Sequence, residues 1–168
     1  MLYVSSLSRL KETVERTGAT RMVSLINAGT PVERPQSIAV ANHLFLGFND
    51  IVDPVEGLVP PGEVHVSSLL GFVQDWDKAA PLVIHCWAGI SRSTAGAFIT
   101  ACALTPDADE AELASVLRAR APSATPNARL VAIADRMLAR DGRMIEAIRA
   151  IGRGADAFEG TPFEMPLA

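Results

Sequence analysis

The segment 85–94 reads HCWAGISRST and brings a thiol, an imidazole, a guanidinium and three hydroxyl groups together within ten residues. An apolar run precedes it, and an uncharged run rich in small side chains follows from Ser93. A buried strand, a tight turn at Gly89 and a helix N-terminus in that order predict an anion cradle, because backbone N–H groups converge there and the helix dipole adds partial positive charge. We expect a bound anion to contact the following residues: Trp87, Ala88, Gly89, Ile90, Ser91 and Arg92.

Arg92 is the cation of this loop. Its planar guanidinium binds two oxygens of a phosphoryl group at once, which a lysine ammonium cannot do with the same geometry. A positive charge is disfavoured at a helix N-terminus, so an anionic partner explains this position better than a surface role does. The loop is therefore predicted to bind a phosphoryl group.

Cys86 is the predicted nucleophile, because the positive field that attracts a phosphoryl group also favours the thiolate. Its sulfur would attack phosphorus to form a cysteinyl phosphate, which water then hydrolyses. The hydroxyl of Ser93 is expected to assist the sulfur as it leaves, and His85 to orient the loop rather than transfer protons. We expect no cofactor and no metal, since two cysteines and three histidines are too few ligands for an evident zinc site.

Residues 85–93 fit the pattern HCxxGxxR[ST], and residues 88–94 read AGISRST. In this the chain resembles the cysteine-dependent protein tyrosine phosphatases, and most of all their small, bacterial-type dual-specificity branch. The opening LYVSSL and the pair Pro126-Asn127 extend the resemblance to about residues 2–140, leaving 154–168 as a tail without counterpart. The resemblance implies a single α/β domain over 1–168, in which helices flank a mainly parallel sheet and the signature loop (residues 86–92) joins a buried strand to a buried helix.

The resemblance also implies a general acid on a separate upstream loop, where the family carries an Asp. Asp50 follows a predicted strand, as the family's acid often does, and is the preferred candidate. Asp53 lies closer to the family's usual spacing before the cysteine and is the alternative. Two further positions stay open: Trp87 either lines the pocket or packs outward, and Asn127 either caps a helix or braces the loop.

Hydrophobic periodicity and turn residues predict the elements that position the loop. Strands are expected at 2–4, 21–27, 44–48 and 82–85, with a further extended run at 38–40. Helices are expected at 7–16, 66–76, 93–104 and 107–120, then after 125 and around 144–151. Asp107 and Glu110 resemble a capping box, and the acidic residues of that first turn are expected to be solvated.

Composition limits what else the chain does. With 168 residues, 49% hydrophobic and 20% charged, it is long enough for one compact core and too apolar to be disordered. A net charge of −4 gives no reason to expect binding to nucleic acid or to a membrane. Without a spanning or leader segment, a cytoplasmic location is expected, and Cys102 is predicted to be inert packing, too far from Cys86 for a disulfide.

These residues predict a phosphomonoester hydrolase. The resemblance implies a protein tyrosine or dual-specificity phosphatase acting on a phosphorylated protein, and a small phosphate ester stays open as the substrate. The alternative is a catalytically weak phosphate-binding module that recognises phosphorylated partners without turnover. A rhodanese-like sulfurtransferase is a third hypothesis, because it too places a cysteine loop at a helix N-terminus.

Overall fold

The structure is a computed structural model that describes residues 1–167. Its strands are β1 (Leu2–Ser6), β2 (Arg21–Ile26), β3 (His43–Gly47), β4 (Leu82–Cys86) and β5 (Phe163–Met165). Its α-helices are α1 (Leu10–Thr17), α2 (Glu63–Gln74), α3 (Arg92–Leu104), α4 (Glu110–Arg120), α5 (Ala128–Met137) and α6 (Arg143–Ile151). The strands form one sheet in the order β3-β2-β4-β1-β5, in which only β5 is antiparallel to its neighbour.

Strand β4 lies at the centre of this sheet and carries Cys86 at its carboxyl end. All five of its residues are buried, and it pairs in parallel with both β1 and β2. Its sequence, LVIHC, has no alternation of apolar and polar residues, because both faces of the strand are covered. The chain therefore leaves the middle of the sheet directly into the loop that carries the thiol.

Helix α1 covers one face of the sheet, with Leu10 and Val14 packed on Val83. The main hydrophobic core lies on the other face, where α3 is the most deeply buried helix. A Cβ atom at Gly96 would lie 2.8 Å from Cδ1 of Leu25, so the absence of a side chain there lets α3 approach β2 and β4 closely. This contact sets the direction in which the N-terminus of α3 meets the end of β4.

The predicted α/β architecture is confirmed, with a mainly parallel sheet flanked by helices and a loop between a buried strand and a buried helix. The prediction of an extended run at 38–40 is wrong. The N–H of Ile38 donates to the carbonyl of Pro35 in a turn, and a short 3-10 helix begins at Val40. Ile38 is buried with Leu10 and Val14 of α1. A short apolar run in the sequence does not show whether its residues are buried in a turn or paired in a sheet.

The start of α4 differs from the expectation as well. Asp109, not Asp107, caps the helix by accepting the N–H groups of Ala111 and Glu112. Glu110 is buried rather than solvated, since it is ion-paired with Arg140 at 2.8 Å. Hydrophobic periodicity does not indicate a buried carboxylate here, because its partner comes from a distant position in the chain.

The residues after α6 form part of the sheet and of the loop region. Strand β5 pairs with β1, and the N–H of Gly160 donates to the carbonyl of Ala88 at 2.8 Å. A Cβ atom at Gly160 would lie 2.7 Å from the carbonyl oxygen of Gly89, so only glycine allows this approach. The segment 154–167, called the C-terminal segment below, is thus packed against the signature loop. No helix within residues 1–167 has the length and apolar character needed to cross a bilayer.

Candidate active site

The signature loop turns sharply between β4 and α3. Gly89 has a φ of 71°, and a Cβ atom on it would lie 2.9 Å from the backbone nitrogen of Ser6. Both the left-handed conformation and the close approach require glycine at this position. The loop is held from outside by the N–H of Leu7, which donates to Trp87, and by that of Thr125, which donates to Ile90.

The sulfur of Cys86 lies inside this turn, with the residue only 3% exposed. The backbone N–H of Gly89 donates to Sγ at 3.2 Å, and Sγ lies 3.0 Å from the hydroxyl oxygen of Ser93. A backbone N–H, a hydroxyl group and the N-terminus of α3 therefore surround the sulfur. Ser93 itself is fully buried, so its hydroxyl has a fixed position beside the sulfur.

Arg92 is 6% exposed and reaches across to two other elements. One terminal nitrogen donates to Oδ1 of Asn27 at 2.8 Å and to the carbonyl of Phe48 at 2.7 Å. Within residues 1–167 its Nε is the single buried side-chain nitrogen or oxygen without a hydrogen-bond partner. Leaving such a donor unpaired costs about 1–3 kcal/mol, so the position is suited to an anionic ligand.

His85 is fully buried and belongs to a chain of hydrogen bonds behind the loop. Its Nδ1 lies 3.3 Å from the carbonyl oxygen of Cys86, which can only accept, so Nδ1 carries the proton. Burial lowers the pKa of His85 to about 4, and its neutral Nε2 accepts from the hydroxyl of Ser24 at 2.7 Å. That hydroxyl oxygen in turn accepts from Nε2 of His43 at 2.8 Å. The imidazole therefore orients the end of β4 and does not reach the sulfur.

Asp50 follows β3 and lies beside the signature loop. Its Oδ1 accepts from the hydroxyl of Ser91 and from the amide of Asn127, each at 2.8 Å. Asn127 also caps α5 through its own oxygen, which accepts the N–H of Leu130 at 3.0 Å. Both open alternatives for Asn127 therefore hold at once. Asp53 lies elsewhere, in a cleft that it shares with Arg129 and Arg136.

A cavity of about 350 Å³ opens above the loop and brings the candidate residues together. Cys86 and Asp50 line it, together with Trp87, Ala88, Ile90, Ser91 and Arg92. Gly89, His85 and Ser93 lie behind this wall and are buried. Of the two alternatives for Trp87, the structure supports a place in the cavity lining, although the residue is 60% exposed. Seven of the predicted residues thus line one cavity, which we call the loop cavity, whereas Gly89, expected to contact the anion, and Asp53 do not line it.

Sequence reasoning missed several residues of this region. Asn27 and the carbonyl of Phe48 hold Arg92. Asn27 directly follows β2, which pairs with β4, and Phe48 directly follows β3, which pairs with β2, so the signal was the last residue of each predicted strand. Ala157 and Phe158 of the C-terminal segment also line the cavity. No sequence pattern in the C-terminal segment predicts that it packs against the signature loop, because the close approach depends on one residue, Gly160. Within residues 1–167, no cluster of three or more His, Cys, Asp or Glu side chains is arranged to hold a metal ion.

Comparison with known proteins gives a consistent result at the level of structure. Neither a protein-family model nor a curated protein matches the sequence. Among solved structures, DUSP15 superimposes with a TM-score of 0.63 at 19% identity, covering 89% of this chain and 89% of that one. A mouse putative dual specificity phosphatase complexed with zinc tungstate gives 0.64 at 17% identity, covering 88% of this chain and 86% of that one. Human DUSP28 gives 0.62 at 17%, covering 89% and 94%.

The fold is that of the dual-specificity phosphatases. In this chain the dual-specificity phosphatase fold places a cysteine and an arginine around the N-terminus of the helix that follows the central strand, with an aspartate from the loop after β3 opposite them. That arrangement agrees with the rule that open α/β sheets bind ligands at the carboxyl ends of their strands. The chemistry of the site follows from its side chains and not from the fold.

Proposed function

We propose that this protein is a phosphomonoester hydrolase of the cysteine-dependent phosphatase type. One observation carries the proposal: the buried guanidinium of Arg92, with an unpartnered Nε, lines the same cavity as the sulfur of Cys86. A cation without a carboxylate partner beside a cysteine that accepts a backbone N–H suits a dianionic phosphoryl group. A neutral or cationic substrate would leave the guanidinium unpaired.

In the first step the thiolate of Cys86 attacks phosphorus while the bond from phosphorus to the ester oxygen breaks. The departing oxygen takes a proton from the carboxyl group of Asp50, which becomes a carboxylate. Oδ2 of Asp50 has no hydrogen-bond partner within residues 1–167, so one oxygen is free to carry that proton while Oδ1 is held by Ser91 and Asn127. Arg92 and the loop N–H groups stabilise the charge on the three equatorial oxygens.

In the second step a water molecule attacks the phosphorus of the cysteinyl phosphate. The carboxylate of Asp50 takes a proton from this water, and the bond between phosphorus and sulfur breaks. The hydroxyl of Ser93, 3.0 Å from Sγ, donates a hydrogen bond to the departing thiolate. Inorganic phosphate leaves and the enzyme returns to its starting protonation state.

The substrate we propose is a phosphorylated protein, on tyrosine or on tyrosine and serine or threonine. The likeness to dual-specificity phosphatases supports this class. Lysine and arginine are absent from residues 87–91, so the loop itself offers Arg92 as its cation. Polyphosphorylated inositol lipids need several cations near the site and are therefore disfavoured.

The test is hydrolysis of p-nitrophenyl phosphate by wild type and by Cys86→Ser, with and without EDTA. We expect turnover by wild type that EDTA leaves unchanged, and no turnover by the serine variant, which lacks the thiolate. Hydrolysis retained in Cys86→Ser or abolished by EDTA would overturn the mechanism.

The acid is tested separately by a matched pair, Asp50→Asn and Asp53→Asn. Because Asp50 lines the loop cavity and Asp53 does not, we expect kcat to fall about 100-fold in the first variant and little in the second. The loss should be greatest with poor leaving groups, which need the proton most. An equal or reversed effect would move the acid to Asp53.

The phosphate-binding module is the second candidate, favoured by the two donors that hold Oδ1 of Asp50 against the loop wall. In that case wild type would bind phosphopeptides without releasing phosphate. A burst of p-nitrophenol equal to the enzyme concentration, followed by steady release of phosphate, would exclude this candidate.

A further inference from the structure

An apolar groove runs beside the loop cavity and is separate from it. Six residues line the groove: Leu7, Ser8, Trp87, Ala88, Phe158 and Glu159. Three of them, Trp87, Ala88 and Phe158, also line the loop cavity, so the two depressions share a wall. Neither Cys86 nor Arg92 lines the groove, so a phosphoryl group under attack by the sulfur does not occupy it.

The aromatic side chains of this shared wall are unusually exposed. Phe158 is 93% exposed and Trp87 is 60% exposed. Exposed aromatic residues that adjoin a functional cavity are typical of recognition sites, because burial by a ligand removes their apolar surface from water. Two of the six lining residues, Ser8 and Glu159, carry polar side chains.

The chain directly after Phe158 is held in place by two residues. Glu159 accepts hydrogen bonds from the hydroxyls of Ser6 and Ser8, and these bonds hold the pKa of its carboxyl below the usual range. The next residue, Gly160, donates its N–H to the carbonyl of Ala88. Oε1 of Glu159 is thus occupied within the chain, and the apolar side chains of Leu7, Trp87, Ala88 and Phe158 form most of the groove's lining.

We propose that this groove binds a large apolar side chain adjacent to the phosphorylated residue of a peptide substrate. The inference rests on the proposed function, because continuity with the loop cavity is what makes the groove part of a substrate site. A phosphorylated residue with its phosphoryl group on Arg92 would direct the neighbouring residue of its chain over Trp87 and Ala88 toward Phe158. The C-terminal segment would then determine which phosphorylated sequences the enzyme selects.

The experiment compares phosphotyrosine peptides that are identical except for Leu or Ser next to the phosphotyrosine, placed before it in one pair and after it in another. For wild type we expect kcat/KM to be about tenfold higher with Leu than with Ser in one of the two pairs, the effect of partly burying one aliphatic side chain. Phe158→Ala should remove this preference and Phe158→Leu should retain it, since leucine keeps apolar surface at the position.

Val64→Ala is the matched control, because Val64 is 69% exposed on α2 and lines neither depression. Its preference should equal that of wild type. The same peptides are also titrated by fluorescence anisotropy into Cys86→Ser, which measures the preference without turnover. Equal values for Leu and Ser peptides in both assays, or a preference that Phe158→Ala leaves intact, would overturn the inference while the proposed hydrolase stands.

The remaining outcomes separate the groove assignment from the proposed hydrolase activity, so that the failure of one is not mistaken for the failure of the other. If wild type hydrolyses no phosphoester but Cys86→Ser binds Leu phosphopeptides selectively through Phe158, the hydrolase is overturned and the groove assignment is supported. If Phe158→Ala raises KM equally for p-nitrophenyl phosphate and every peptide, the wall contacts the substrate ring, and the flanking-residue assignment fails. A dimer in sedimentation that Phe158→Ala dissociates would assign the groove to a second copy of the chain and overturn the proposal.

Discussion

A buried arginine lies close to a cysteine at each end of α3, and the two pairs differ in the partners of the arginine. At the N-terminal end Arg92 lines the loop cavity with Cys86. Toward the C-terminal end Arg140 donates to the carbonyl of Cys102 at 2.7 Å. Both arginines are at most 7% exposed, and both cysteines are buried. Residue type and burial are therefore nearly the same at the two ends.

The partners of the guanidinium groups separate the two regions. Arg140 is ion-paired with the buried carboxylate of Glu110 and also donates to the carbonyl of Pro106 at 3.1 Å. Within the described part of the chain, residues 1–167, the guanidinium of Arg92 donates only to the neutral oxygens of Asn27 and Phe48, and its Nε has no partner. A buried charge that is compensated inside the chain is structural, whereas an uncompensated one needs a ligand from outside.

The sulfurs differ in the same direction. Burial raises the pKa of Cys102 to about 12, so its thiol stays protonated and serves as packing. The sulfur of Cys86 accepts an N–H and lies at a helix N-terminus. The immediate hydrogen-bond donors, more than burial, decide which cysteine is suited to chemistry.

The largest effect is expected from removing the uncompensated cation. Arg92→Met should lower kcat/KM for p-nitrophenyl phosphate by at least about 1,000-fold, because two contacts to the phosphoryl oxygens are lost together. Its melting temperature should stay close to that of wild type, since no internal ion pair is broken. A strong loss of stability with little loss of specific activity would make Arg92 a structural residue and remove the contrast.

Arg140→Leu should produce the converse result. It leaves Glu110 buried without its closest partner, which typically costs about 3–5 kcal/mol in the free energy of unfolding. Chemical denaturation gives that value, and activity per folded molecule should be unchanged. Arg149→Leu is the control, since its partner Glu146 is exposed and a surface pair contributes little.

Inorganic phosphate should distinguish the two arginines by binding only one of them. At 100 times its dissociation constant, phosphate stabilises the folded state by about 2.7 kcal/mol, a rise of roughly 5–10 °C in the melting temperature for a domain of this size. Wild type and Arg140→Leu should both show the shift in a thermal scan, and Arg92→Met should not. A shift retained in Arg92→Met would place the anion elsewhere.

The region around Cys86 and Arg92 could be predicted from the sequence far better than the region around Cys102 and Arg140. Residues 85–94 lie close together in the chain, so the order of strand, glycine and helix already predicts that Cys86 and Arg92 lie at one turn, and both line the same cavity. The partner of Arg140 lies 30 positions away, and no local pattern indicates that Glu110 turns inward. The hydrogen bond from Asn127 to Asp50 and the one from Gly160 to Ala88 were equally unpredictable from the sequence, because both depend on tertiary packing.

The pH dependence of stability should also separate the two regions, because their titratable groups respond over different pH ranges. The folded protein keeps His85 neutral, with a pKa of about 4 against an ordinary value of 6.5. Between these values the unfolded chain binds the proton and the folded one does not, so stability is present above pH 6.5 and is lost as pH falls toward 4. The slope from this one group is at most about 1.4 kcal/mol per pH unit.

Glu110 acts at lower pH. Burial opposes its ionisation, but hydrogen bonds from Arg143 and Arg140 hold its pKa below the ordinary 4.5, so its contribution is lost only as pH falls below that value. Unfolding free energies of wild type, His85→Asn and Glu110→Gln are therefore compared across both ranges. Burial lowers the pKa of His43 and His65 as well, so the informative quantity is the change in slope that each variant causes. His85→Asn should flatten only the upper range and Glu110→Gln only the lower, and a change of slope in the wrong range would contradict the assignment of charge to the two ends of α3.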